Sequence, residues 1–334
     1  MINRLIKMVI MFLVFSGLVS CSKKEEISLR IAVEFVDHAA SAHIARAKKW
    51  FEKEGLKIEA FDNYITGMAL ASALARGDID AAYICMIPAI SVYANAGVRI
   101  KVVCGTHKYG YGLLVNPEKV KNISDLMKPE IRIACTREGS SLDCLLNKMI
   151  EKYKLDGEEL KRKVLRMPPP MILLCLKMNK IDAGFCPEQF TTMGERMGFR
   201  EILKAQDLWS DMQGSVLVVK EELIEKHPEI VKKLVKITKK GIKFINEHPD
   251  EASRIVADAL TVAGQKVLPI KVGKVAAKLK IEPQDIKKSL TIKMINTSEI
   301  DISVIQEEID YMAKLGYIKK PFKAEEIVDL RFIK

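Results

Sequence analysis

The run Leu74-Ala75-Arg76-Gly77-Asp78-Ile79-Asp80-Ala81-Ala82-Tyr83-Ile84-Cys85-Met86-Ile87-Pro88 reads as a helix end, a Gly/Asp turn, a short apolar strand and a proline placed to open the next helix. Roughly a hundred positions later the chain repeats the pattern as Leu176-Lys177-Met178-Asn179-Lys180-Ile181-Asp182-Ala183-Gly184-Phe185-Cys186-Pro187-Glu188. Both runs place an Ile-Asp-Ala turn before a buried strand that stops at the mouth of a helix. They differ in that Asp80 stands eight residues before its proline and Asp182 five. The pairing predicts two related α/β lobes, each delivering a strand end and a helix start to a common cleft.

The flanking segments extend this reading. Leu29 to Val33, Leu56 to Phe61, Ala81 to Cys85 and Ile100 to Cys104 are short apolar strands, and helical patterns from Ser41, Met68 and Pro88 lie between them. Strands alternating with helices mean a mainly parallel sheet covered on both faces. After an extended crossing at Gly110 to Val115 the alternation restarts: Ile131 to Cys135, a helix from about Leu142 to Tyr153, Val164 to Met167, a rigid Pro168-Pro169-Pro170 turn and a helix to Asn179. Ser215 to Val219 is a second crossing, back to the first lobe. Pro228 to Glu247, a further helix from Pro249, and Ile305 to Leu315 are amphipathic helices. The expected division is a signal peptide at 1–20, a tether at 21–27, lobe 1 at 28–111, lobe 2 at 112–214, and a return to lobe 1 with C-terminal helices at 215–334.

Apolar residues make up 49% and charged residues 29% of the 334, the balance of a globular protein. Aromatics at 6% argue against a binder that stacks sugars on several rings. The formal charge of +11 falls to +9 without Arg4 and Lys7 of the leader, and the lysines are spread along helical faces, so no nucleic-acid partner is expected. The leader itself has basic Arg4 and Lys7, an apolar run from Met8 to Val19, and then Leu18-Val19-Ser20-Cys21. That is the layout of a secretory signal. Its last four residues resemble a lipobox, with Cys21 the lipidated first residue of the mature chain, held on the extracytoplasmic face of the membrane. The other cysteines, Cys85, Cys104, Cys135, Cys144, Cys175 and Cys186, show no C-x-x-C spacing and read as buried thiols. Neither they nor the five histidines have metal-ligand spacing, so no metal and no cofactor are expected.

The lipobox, the Leu74-Ala75-Arg76-Gly77-Asp78-Ile79-Asp80-Ala81 turn, the Asp125-Leu126 and Gly139-Ser140-Ser141 stretches, and Lys226-His227-Pro228-Glu229 followed by Asn246-Glu247-His248-Pro249 resemble solute-binding proteins of ABC transporters. The nearest group is the nitrate, sulfonate, taurine and thiamine-precursor binders, the SsuA/THI5 or NMT1-like group. The resemblance implies a type II periplasmic-binding-protein fold with a two-strand hinge. It also implies a lipid-anchored monomer, not an enzyme, that closes its lobes on a small solute and passes it to an ABC permease.

The candidate ligand contacts lie at loop-to-helix starts, whose unpaired amides suit an anionic or polar ligand. They are His38, Ala39, Tyr64, Thr66, Gly67, Cys85, Met86, Arg137, Ser140, Ser141 and Glu188. Thr66 and Ser140 have an alternative role as caps of their own helices. No arginine cluster marks a sulfonate site, and Glu188 would suit an amine-bearing heterocycle. Two other functions are open to the same fold. One is a pyrimidine-phosphate synthase of the same group, disfavoured by the secretory leader and the dispersed cysteines; the other is a membrane-tethered sensory module.

Overall fold

The computed structural model describes residues 27–268 and 279–333. The expected signal peptide, most of the tether and Cys21 lie outside the described residues. Eleven strands follow in order: β1 Ser28–Glu34, β2 Lys57–Tyr64, β3 Ala81–Cys85, β4 Ile100–Tyr109, β5 Tyr111–Val115, β6 Ile133–Cys135, β7 Val164–Arg166, β8 Ala183–Pro187, β9 Arg200–Lys204, β10 Gln213–Lys220 and β11 Met294–Ile295. They form two sheets, one ordered β11-β4-β10-β3-β1-β2 and the other β7-β6-β8-β5-β9. Each sheet takes one antiparallel strand from a crossing. In the first, β10 lies between β3 and β4, antiparallel to both. In the second, β5 lies between β8 and β9, again antiparallel to both. Leaving out β11, the two orders are the same topology read twice.

The repeat is also visible in side chains. The Arg30 amide and guanidinium grip Asp80 at 2.9–3.2 Å, and the guanidinium also donates to the Gly77 carbonyl at 3.1 Å. The Arg132 amide and guanidinium grip Asp182 at 2.9–3.0 Å, and the guanidinium donates to the Asn179 carbonyl at 2.8 Å. Every member of the second set lies 102 positions after its counterpart. Gly77 (φ 84°) and Asn179 (φ 55°) both sit in the left-handed region, which turns each carbonyl toward its arginine. A lysine completes each clamp: Lys220 reaches Asp80 at 3.2 Å and Lys119 reaches Asp182 at 2.7 Å. At this constant offset Pro88 and Pro187 are not equivalent. Pro187 is the N-cap of its helix, whereas Pro88 stands inside the helix Met86–Ala96, which begins two residues before the expected start.

The central strands are buried on both faces and alternate between two packing layers, whereas the edge strands β2, β7 and β9 are partly exposed. On β1, Leu29, Ile31 and Val33 face one layer and Ala32 the other; on β10, Leu217 and Val219 face one and Val216 and Val218 the other. One layer includes Leu70 and Ile90 of the helices Gly67–Arg76 and Met86–Ala96. The other includes Ile44 and Leu234 of the helices Ala40–Ala47 and Pro228–Glu247. Pro169 and Pro170 form the first turn of the helix Pro169–Lys177, where missing amides cost nothing, so the expected proline turn is a helix start. The helix expected from Ser41 to Gly55 is broken at Lys49 (φ 54°) into Ala40–Ala47 and Trp50–Lys53. The six cysteines within the described residues are free thiols, and all but Cys175 are buried. No described helix is long and apolar enough to cross a membrane.

Candidate functional site

In an open α/β sheet the carboxyl ends of the strands are where loops diverge and leave a crevice. Here the strand ends of both sheets face one small hollow of about 50 Å³. The first sheet contributes Glu34 at the end of β1, Cys85 at the end of β3, and Thr66, Gly67 and Met68 after β2. The second contributes Thr136, Ser140 and Ser141 after β6, and Pro187 at the end of β8. Tyr111, the first residue of β5, forms part of the wall where the chain crosses between sheets.

Of the eleven candidate contacts, His38, Thr66, Gly67, Cys85, Arg137, Ser140 and Ser141 line this hollow and the other four do not. Ala39 is packed in the first sheet's core and Met86 is fully buried beneath its own helix. Tyr64 ends β2 instead of lying in a loop, because the strand runs three residues past its expected end. Glu188 is turned into its own helix, where the Thr191 hydroxyl donates to its carboxylate at 2.5 Å. Burial and the nearby Glu201 charge push its carboxyl well above the usual range.

Some of the amides at these helix starts are spent on the protein's own groups and so do not meet the expectation that they face a ligand unpaired. The Ala69 amide donates to Thr66 Oγ1 at 3.2 Å and the Asp143 amide to Ser140 Oγ at 3.3 Å, so both residues do cap their helices. The Cys85 amide donates to Glu34 Oε1 at 2.6 Å and the Glu188 amide to the Gly110 carbonyl at 3.0 Å. Pro168, Pro169 and Pro170 have no amide to offer. The Asp37 amide reaches across to Gln189 Oε1 at 2.6 Å, tying the first lobe to the second. Ser141 Oγ, by contrast, is buried beside the Tyr111 phenol and makes no other hydrogen bond within the protein.

Electrostatically the floor is built from neutral groups around one carboxyl. Burial pushes Glu34 up to about 7, against the hydrogen bonds from Cys85 and Gly67 that favour its ionised form. Burial, with the Glu34 charge beside it, raises the Cys85 thiol well above its ordinary value, and the thiol donates to Glu34 Oε2 at 3.3 Å. Burial and the neighbouring His107 hold His38 well below its usual value, so the ring is neutral. Its Nε2–H donates to the Gly110 carbonyl at 2.8 Å, which leaves Nδ1 bare, 3.7 Å from Cys85 Sγ. Among the described residues lining the hollow, Arg137 is the one fixed cation, and it is exposed at the mouth.

Glu34, Tyr111 and Thr136 were not among the sequence candidates. The repeat offset would have found one from another, since Thr136 is the counterpart of Glu34. Ser140 is likewise the counterpart of His38, and Pro187 of Cys85.

Two sheets of one topology, joined by two crossings and sharing a hollow at their strand ends, define the two-lobed periplasmic-binding-protein fold. The alkanesulfonate-binding protein SsuA of Xanthomonas axonopodis pv. citri, whose structure was solved bound to MOPS, superposes with a TM-score of 0.73 at 16% identity, covering 91% of this chain and 98% of that one. The model of the NMT1-like family matches residues 22–261, and the chain belongs to that family. Among relatives, a Bacillus subtilis (strain 168) protein named for binding aliphatic sulfonates is 23% identical over 302 residues, 87% of this chain and 83% of its own length. The taurine-binding periplasmic protein of Escherichia coli (strain K12) is 24% identical over 214 residues, 63% of this chain and 64% of its own.

Proposed function

We propose that this chain is an extracytoplasmic solute-binding protein, not an enzyme, which captures a small polar solute between its lobes and presents it to an ABC permease. The observation that carries this reading is the hollow itself: walls from both sheets, at their strand ends, with the buried Ser141 hydroxyl beside the Tyr111 phenol in it. The relatives named for binding sulfonates and taurine support the same role. Closure would swing the lobes about the crossing at Tyr109 and Gly110 (φ 64° and 94°) and the return through β10. Seven residues named from sequence that line the hollow, joined by Glu34, Thr136 and Tyr111, are the proposed contacts. The leader and Cys21 support tethering by lipid to the outer face of the membrane, and we take the tethered protein to be a monomer.

A thermal-shift screen of the chain against sulfonates, oxyanions, pyrimidines, flavins and amino acids tests the reading. A solute bound to the native state alone raises the melting temperature in a concentration-dependent way. At least one class is expected to do so. A screen in which none does, repeated by equilibrium dialysis, would refute the role.

A further inference from the structure

The hollow differs in charge between its two lobes. On the first-lobe side, one oxygen of Glu34 takes the Cys85 amide at 2.6 Å, and the other the weakly donating Cys85 thiol at 3.3 Å. This carboxyl sits where the helices Gly67–Arg76 and Met86–Ala96 begin, and it also receives the Gly67 amide. A Cβ on Gly67 would lie 2.5 Å from Glu34 Oε1, so the residue there must be glycine for the carboxyl to come so close. The positive ends of two helices, where an oxyanion would otherwise be held, are therefore occupied by the protein's own acid. On the second-lobe side the polar groups are Thr136 and Ser140, hydrogen-bonded to each other at 2.6 Å, Ser141, buried beside the Tyr111 phenol, and Arg137 at the mouth.

We infer that the solute is dipolar, with a protonated nitrogen seated on Glu34 of the first lobe and an acceptor or acid end directed at Ser141 and Arg137 of the second. This rests on the solute-binding role proposed above. A sulfonate or oxyanion with no such nitrogen would leave the Glu34 carboxylate buried against a like charge or an apolar group, which disfavours it. The groups facing Glu34 are the Cys85 thiol from β3, the Tyr111 phenol from β5 and the Gly67 amide, with neutral His38 behind the thiol. None supplies a positive charge, so that charge is left for the ligand to bring. The carboxyl's raised value means that an ammonium must draw off its proton, and binding strengthens as pH rises through about 7.

Isothermal titration of the full chain in detergent with pairs differing in one amino group tests this: taurine against ethanesulfonate, β-alanine against propionate, and 4-aminopyrimidine against pyrimidine. In at least one pair the amino member is expected to bind about tenfold tighter or more, the margin a charge-assisted hydrogen bond provides. Glu34→Gln keeps the acceptor for the Cys85 amide, so it should melt close to wild type yet lose most of that preference. In the wild-type chain, taurine or β-alanine should bind more weakly at pH 6 than at pH 8, a readout that does not depend on the variant folding. Equal binding within every pair, or a preference that survives in Glu34→Gln, overturns the inference while leaving a solute-binding role intact. If none of the six binds, the inference also fails, and the wider screen decides the role separately.

Discussion

Asp182 is 1% exposed yet ionised, because Arg132 and Lys119 surround it. Burial works against the charge, and the hydrogen bonds from both cations overcome it, holding the carboxyl down to about 2. Its contribution is therefore complete above the ordinary carboxylate range and is lost as pH falls toward about 2. Asp182→Ala strands the Arg132 amide and guanidinium, and urea unfolding at pH 7 should show a loss of about 2–3 kcal/mol. Asp80→Ala should cost a comparable amount, since the same bonds are lost. A change below about 0.5 kcal/mol at both sites would mean that the paired clamps are not structural. These aspartates were legible in the sequence because each stands beside a turn and a strand. Glu34 was not: its partner Cys85 is 51 positions away, and an acid ending an apolar strand looks like any solvated residue. Glu188 misled for the opposite reason, since the hydroxyl that turns it inward, Thr191, is three residues along its own helix.

At the scale of elements, packing explains the helices better than propensity does. The helix Pro228–Glu247 lies across Ala40–Ala47 at Gly241, where a Cβ would come within 2.7 Å of the Ser41 carbonyl oxygen. Glycine to alanine in a helix normally gains about 1 kcal/mol. Here the sign reverses: Gly241→Ala should destabilise by about 1–3 kcal/mol, because a backbone atom cannot move aside as a flexible side chain can. Thermal melts check this, and a variant as stable as wild type would contradict the close approach. The apolar strands and the amphipathic helices Pro228–Glu247 and Pro249–Val267 were readable because their periodicity survives in the chain. The two-residue β11 is too short for a period to emerge, and the edge strand β9, Arg200–Lys204, buries only Leu203 and so carries no apolar run.

At the scale of the molecule, the C-terminal segment joins both lobes. β11 extends the first sheet beside β4, while Arg196 of the second lobe grips Asp285 at 2.8–3.0 Å and Lys314 meets Glu151 at 2.9 Å. Tyr317 donates to Asp143, beneath the helix that Ser140 caps. The repeat and the strap together hold two strand-end surfaces face to face, and the hollow follows from that arrangement. The clamps recur with the same bonding pattern in both lobes, whereas the hollow-facing positions differ between the lobes: Glu34 against Thr136, His38 against Ser140. The duplication thus gives the frame, and divergence at the strand ends gives a site with two unlike walls. The most direct test fills the space. Ser141→Phe places a ring in the hollow from the second lobe, and its melting is compared with wild type, with and without the solute giving the largest shift in the screen. The account predicts a rise of a few degrees in wild type and none in Ser141→Phe, with the two unliganded proteins melting within a few degrees of each other. An equal rise in both would mean that the solute binds elsewhere, and would contradict the assignment of this hollow.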